Sequence, residues 1–205
     1  MVNRDSVNNF INFSFIPFSK SQCIKRYIVI WILSISASVV GVHKFLWFTI
    51  LAIVNIAVGF IFGVLCFKPD NKNSRFICDG LTCFYTSVLL SILSYKFFVF
   101  ESEENVLLLI ALLGLLLINI LFFVFIVYLN IKHNNYDSAK TPNNMLISPF
   151  ICGLIGLGVA HIILMDVSSD NANVILAACL LFISLLMSIG STNFLKVILL
   201  KKISC

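Results

Sequence analysis

The chain carries uninterrupted apolar runs that are longer than a water-soluble core can use. Residues 45–67, 106–131, 145–165 and 172–195 each match the length of about 20 residues that a helix needs to cross roughly 30 Å of hydrocarbon. Two shorter runs, 27–42 and 80–95, bring the count to six if they borrow flanking residues, tilt little or sit in a thinned bilayer. Of the 205 residues, 60% are hydrophobic and 11% charged, against about 25% charged in a soluble domain. A water-facing surface cannot be built from that stock. The expectation is an all-α polytopic membrane protein with about six transmembrane helices and no attached soluble domain.

Orientation follows from where the cations fall. With the N-terminus placed in the cytoplasm, twelve of the fourteen Lys and Arg residues lie in cytoplasmic pieces, and only Lys44 and Lys96 lie outside. Such a bias sets the orientation of a membrane protein. Both termini are therefore expected in the cytoplasm, the protein in a bacterial inner or plasma membrane. The formal net charge of +5 is spread in ones to threes at the ends of apolar runs, which speaks for membrane anchoring and against direct nucleic-acid binding. Residues 1–26 read as an interfacial aromatic leader, with Phe rings such as Phe10 at headgroup level. Residues 27–195 form the transmembrane domain, its first run a retained signal anchor, and 196–205 a basic cytoplasmic tail.

The same topology turns two acidic clusters outward. Glu101, Glu103 and Glu104 lie in one loop, and Asp166 and Asp170 in another. They read either as solvated loops or as an outward acidic patch that senses or binds cations. On the inner side, Lys68, Lys72, Arg75, Lys196, Lys201 and Lys202 are the candidates for contact with a partner or with lipid.

Chemistry inside the membrane has few carriers. His161 is the one ionisable residue well inside an apolar run, and an ionisable group in hydrocarbon is costly enough to suggest function. Asn55, Gly59 and Gly63 repeat every four residues on one helix face, so two backbones can approach there and Asn55 can bond across the seam. Cys152, Gly156 and Ala160 make a similar stripe, and Asn119 is a further polar residue in an oily run. These positions read as helix packing, an oligomeric interface or the lining of a cavity.

Familiar catalytic patterns are missing. Gly153, Gly156 and Gly158 stand in the order GxxGxG inside an oily run, the wrong order and context for a dinucleotide loop. The three His are isolated, there is no HExxH, and no GxSxG supplies a serine nucleophile. Asp79 and Asp166 fall at opposite membrane faces, so they cannot serve as an aspartyl protease pair. Seven Cys without CxxC spacing read as small buried residues, with acylation at membrane-edge Cys66 or Cys78 left open. No catalytic residue, metal or cofactor is expected.

In size, hydropathy and its Asn-, Ile- and Lys-rich style the chain resembles membrane components of bacterial phage-defence and toxin-immunity systems, the Kiwa-type defence membrane protein among them. The resemblance lies in the profile and in no motif. It implies a protein that senses envelope perturbation from outside and signals to a cytoplasmic effector. The expected function is accordingly a non-catalytic membrane subunit that recruits or regulates a cytoplasmic protein partner, contacts membrane lipid and forms a homo-oligomer. Two alternatives stand beside it. One is a small transporter or substrate-binding subunit, with Gly-rich middle helices in two inverted halves. The other is an oligomeric channel lined by Asn55, Asn119 or His161.

Overall fold

A computed structural model describes residues 4–12, 20–40, 44–66, 72–99, 105–133, 135–136 and 169–204. The elements among them are all helical: α1 (Arg4–Asn12), α2 (Lys20–Val39), α3 (Lys44–Cys66), α4 (Lys72–Phe98), α5 (Val106–Lys132), α6 (Ser169–Ser188), a 3₁₀ turn (Ile189–Thr192) and α7 (Asn193–Ser204). Among the described residues five helical stretches are long and apolar enough to cross a membrane: α2, α3, α4, α5, and α6 continued through the turn into α7. The protein is a helical bundle of transmembrane character. The expected crossing at 145–165 lies outside the described residues.

Of the routes open to the two short runs, extension into the flanks is the one seen. Residues 27–42 become the 20-residue α2 by taking in Lys20–Arg26, and 80–95 become the 27-residue α4 by starting at Lys72. The 3₁₀ turn at Ile189–Thr192 does not end the last helix. Ser188 and Thr192 turn their hydroxyls back onto the carbonyls of Leu185 and Ile189, at 2.7 and 2.8 Å. Such bonds tighten a helix locally without stopping it, and α7 then continues to Ser204, through the expected start of a separate tail at 196. At the start of α5, Asn105 accepts from the amides of Leu107 and Leu108 at 3.0 and 3.2 Å, which satisfies donors that an apolar helix start leaves open.

Side-chain pairings fix the direction of each helix. Tyr27 lies beside Gly59 and Phe62 while Ser34 reaches Asn55, so α2 and α3 are antiparallel. Arg26 meets Asp79 and Val40 meets Lys96, so α2 and α4 are parallel. Ser94 meets Ala177 while Cys83 lies against Gly190, so α4 and α6 are antiparallel. Along α5 and the last helix the order rises together: Leu112 packs in one cluster with Leu181, Asn119 binds Leu185, and Ile131 packs in one cluster with Val197. Hence α5 and α6 are parallel, although they follow one another among the described elements.

α4 occupies the middle. The largest apolar cluster sets Leu89, Ile92 and Leu93 of α4 against Ile30 and Ala37 of α2 and Leu51, Val58 and Phe62 of α3. A second cluster closes the opposite side, where Phe76 meets Val127 and Ile131 of α5 and Val197 of α7. Val7, Phe10 and Ile11 of α1 complete that cluster. Phe10 is 4% exposed, so its ring is spent on protein packing and does not sit among headgroups as expected. A nine-residue helix cannot span. It buries its apolar stripe on the nearest protein surface instead.

Candidate functional site

Polar side chains gather at both ends of the described bundle and within it. At the end where α2 and α4 begin and α5 and α7 finish, Asp79 binds Arg26 of α2, and its other oxygen takes the Arg75 Nε at 3.3 Å. Arg75 precedes Asp79 by one helical turn, the spacing at which side chains on a helix meet. Lys196 of α7 enters the same region with its Nζ 5.2 Å from the ring centre of Phe10 and 5.1 Å from that of Phe76. Two aromatic faces partly replace the lost water, a contact worth about 2 kcal/mol when desolvated. Tyr136, just past α5, lies 4.9 Å from the Phe10 ring, and burial pushes its phenol above the usual value. At the same end two fully buried thiols, Cys23 of α2 and Cys78 of α4, stand with their sulfurs 3.8 Å apart.

Deeper in the bundle, Asn55 ties three helices together. Its Oδ1 accepts from Tyr85 at 2.8 Å and from Ser34 at 3.1 Å, and its backbone carbonyl accepts from Tyr27 at 3.0 Å. Ser34 has one proton and the Ile30 carbonyl also lies 2.9 Å away, so it serves the two acceptors in turn. Asn55 is fully buried, and its Nδ2 has no partner among the described residues.

A further polar seam joins α4 to α6. Ser184 donates to the Ser87 carbonyl at 2.7 Å, which uses its only proton. The 2.8 Å contact between Ser91 and Ser184 is therefore donated by Ser91. Ser94 donates to the Ala177 carbonyl at 2.7 Å. At the far end Lys96 is buried, donating to the Val40 carbonyl at 2.9 Å with its Nζ 5.0 Å from the Trp47 ring centre. There the cation sits on the last carbonyls of α2, where helix polarity favours positive charge.

The residues singled out by sequence do not converge on one site. Asn55 and Gly59 share the α2–α3 contact, where Tyr27 occupies the space a Gly59 Cβ would need. Gly63 faces open space, so the small-residue seam is half as long as its spacing suggests. Asn119 stands apart, donating to the Leu185 carbonyl at 3.0 Å and to Ser188 at 2.8 Å. Arg75 and Lys196, expected to face a partner or lipid, are instead buried at 7% exposure each. Their long stems carry the charge inward to Asp79 and to two aromatic rings, not outward to water. Lys201 is exposed. Lys72 and Lys202 lie on the first turn of α4 and the last of α7, and Asp170 on the first turn of α6. Gly156, Ala160, His161, Glu101, Glu103, Glu104, Asp166 and Lys68 lie outside the described residues.

Two features escaped the sequence reading. The buried role of Lys196 had no signal, because Phe10 and Phe76 are remote from it in the chain. The serine seam did have one: Ser87, Ser91 and Ser94 repeat the spacing of Ser184, Ser188 and Ser191. Among the described residues no three His, Cys, Asp or Glu side chains gather as metal ligands. No protein-family model, curated protein or solved structure matches the chain.

Proposed function

We propose that the chain is a non-catalytic membrane subunit with six crossings and both termini in the cytoplasm, which senses the envelope and recruits or regulates a cytoplasmic protein partner. The observation that carries this reading is the concentration of cations and termini at one end of the bundle. α1 packs against the ends of α5 and α7 there, and Lys25, Lys132 and Lys201 are exposed. At the other end stand only Lys44 and the buried Lys96 among the described cations. Positive charge favours the cytoplasmic side, which makes this end the docking face. The sixth crossing is supported by the parallel course of α5 and α6. A 27-residue helix rises about 40 Å, so the chain joining two parallel helices has to return over that height, and the apolar run 145–165 is long enough to do so.

The non-conducting, non-catalytic part of the reading is supported by how the intramembrane polar groups are used. Asn55 and Asn119 bond across helix contacts, and Asp79 is held between two guanidiniums. The setting implied by the profile resemblance is phage defence, and self-association runs through the open Gly63 face of α3.

Two experiments bear on this. A cysteine placed at Ser102 in a background of native Cys→Ser is expected to react with an impermeant thiol reagent from outside; reaction only after lysis overturns the orientation. Tagged protein purified from its host in mild detergent is expected to bring a stoichiometric soluble companion. The combined Lys132→Glu and Lys201→Glu chain should lose that companion while staying inserted. A chain that purifies alone removes the recruiting role.

A further inference from the structure

Cys23 and Cys78 lie 55 residues apart in sequence with their sulfurs 3.8 Å from each other, both fully buried. The disposition of charge around them is specific. Arg26 follows Cys23 by three residues and Arg75 precedes Cys78 by three, so each thiol shares a helix face with a guanidinium. Both guanidiniums bind the Asp79 carboxylate. The Cys23 thiol lies 3.9 Å from the Phe62 carbonyl, so its proton points there and its sulfur faces Cys78.

From this geometry we infer that Cys23 and Cys78 are a dithiol–disulfide pair, oxidised by peroxide-class oxidants to a covalent link between α2 and α4. A disulfide bond is about 2.05 Å long, so the sulfurs close the remaining distance by side-chain rotation and a small shift of the helix end. Hydrogen peroxide takes one thiolate to a sulfenic acid. The second thiolate attacks that sulfur, the S–S bond forms and the hydroxyl leaves. In sum, two thiols and one peroxide give one disulfide and two waters, with two electrons passing from sulfur to peroxide.

Access comes from the position of Cys23 in the first turn of α2. The first amides of a helix lack intrahelical acceptors, so that turn opens at low cost and admits the oxidant. Once formed, the link holds the start of α2 to α4 beside the Arg26–Asp79 contact, on the docking end of the bundle. The pairing itself does not depend on orientation. Only the compartment does, since a cytoplasmic pair is kept reduced at rest and is oxidised under stress.

The test uses membranes carrying the full chain. One sample is treated with hydrogen peroxide and a control with dithiothreitol; both are denatured, blocked with N-ethylmaleimide, digested and analysed by mass spectrometry without reduction. The expected result is a loss of two alkylatable thiols from the seven present, with one peptide pair linked through Cys23 and Cys78 that dithiothreitol abolishes. The Cys83→Ser chain should give the same link, and the Cys78→Ser chain should not. Full alkylation after peroxide would overturn the inference, as would Cys23 or Cys78 appearing only as higher oxides or joined to another cysteine. The Ser102 labelling described above reads orientation separately, so the two proposals fail independently.

Discussion

α4 and α5 have the same length, 27 residues each, and opposite surroundings. In the membrane-crossing part of α4, 56% of the residues are buried within the protein, against 17% for α5. The buried helix is the less oily of the two. It carries Arg75, Asp79, Tyr85, Lys96 and four buried serines, while α5 is Leu, Ile, Val and Phe almost throughout. In water the most apolar helix would be the central one. In a bilayer, lipid is as good a solvent for leucine as the protein interior, so polar groups that need partners decide which helix is enclosed.

Breaking the charge cluster on α4 should have the largest effect. Asp79→Ala removes the carboxylate that Arg26 and Arg75 both bind. Removing one partner of a buried ion pair costs about 3–5 kcal/mol. With the Arg26 side chain 33% exposed and the Arg75 side chain 8%, about 3 kcal/mol is the reasonable figure. Denaturation of the purified protein in mixed micelles would read it. A shift below about 0.5 kcal/mol, the range of an ordinary surface change, would mean that the charges are solvated and the comparison is wrong at this end.

Packing in the serine seam comes next. Ser87 is fully buried, its carbonyl 2.7 Å from the Ser184 hydroxyl. Ser87→Leu forces α4 and α6 apart at a cost of about 2 kcal/mol. The matching change on the other helix, Ala111→Leu, places the new methyls at an exposed position of α5 and should be silent within about 0.5 kcal/mol. Equal effects of the two in the same micelle assay would remove the distinction between the helices.

Asn119 sharpens the contrast because it is an exception on α5. It bonds both the Leu185 carbonyl and the Ser188 hydroxyl. Asn119→Leu should cost about 1 kcal/mol, in the range measured for interhelical bonds in membranes. A larger value would indicate that α5 depends on this one anchor, and no change would make α5 apolar packing alone.

How much of this was legible is uneven, for physical reasons. The positions of the described helices were readable because each run must match the bilayer thickness; for 27–42 and 80–95 that length left extension, little tilt or a thinned bilayer open, and extension into the polar flanks is the one seen. Which helix sits in the middle was readable in principle from Ser87, Ser91 and Ser94, whose spacing is that of a polar face on one helix. The buried position of Lys196 was not readable. It depends on Phe10 and Phe76 arriving from distant parts of the chain, and a lysine near a helix end looks the same in sequence whether its stem runs outward to water or inward to an aromatic ring.

Gly59 and Gly63 show the same limit at single-residue scale. They are one turn apart on α3, and by spacing they are equivalent. A Cβ on Gly59 would collide with the Tyr27 phenol, which is fixed by its bond to the Asn55 carbonyl, while a Cβ on Gly63 meets nothing within 4 Å. Gly63→Leu should therefore leave monomer stability within about 0.5 kcal/mol of the parent, whereas Gly59→Leu displaces Tyr27. A silent monomer with lost self-association, read by light scattering or cross-linking in detergent, would place a second copy on that face of α3. A silent monomer with unchanged assembly would leave Gly63 facing lipid, and self-association through α3 would fall. The smallest expected change in stability thus carries the answer about oligomerisation, because a position with no neighbour among the described residues of its own chain is the one that can report a neighbour from another.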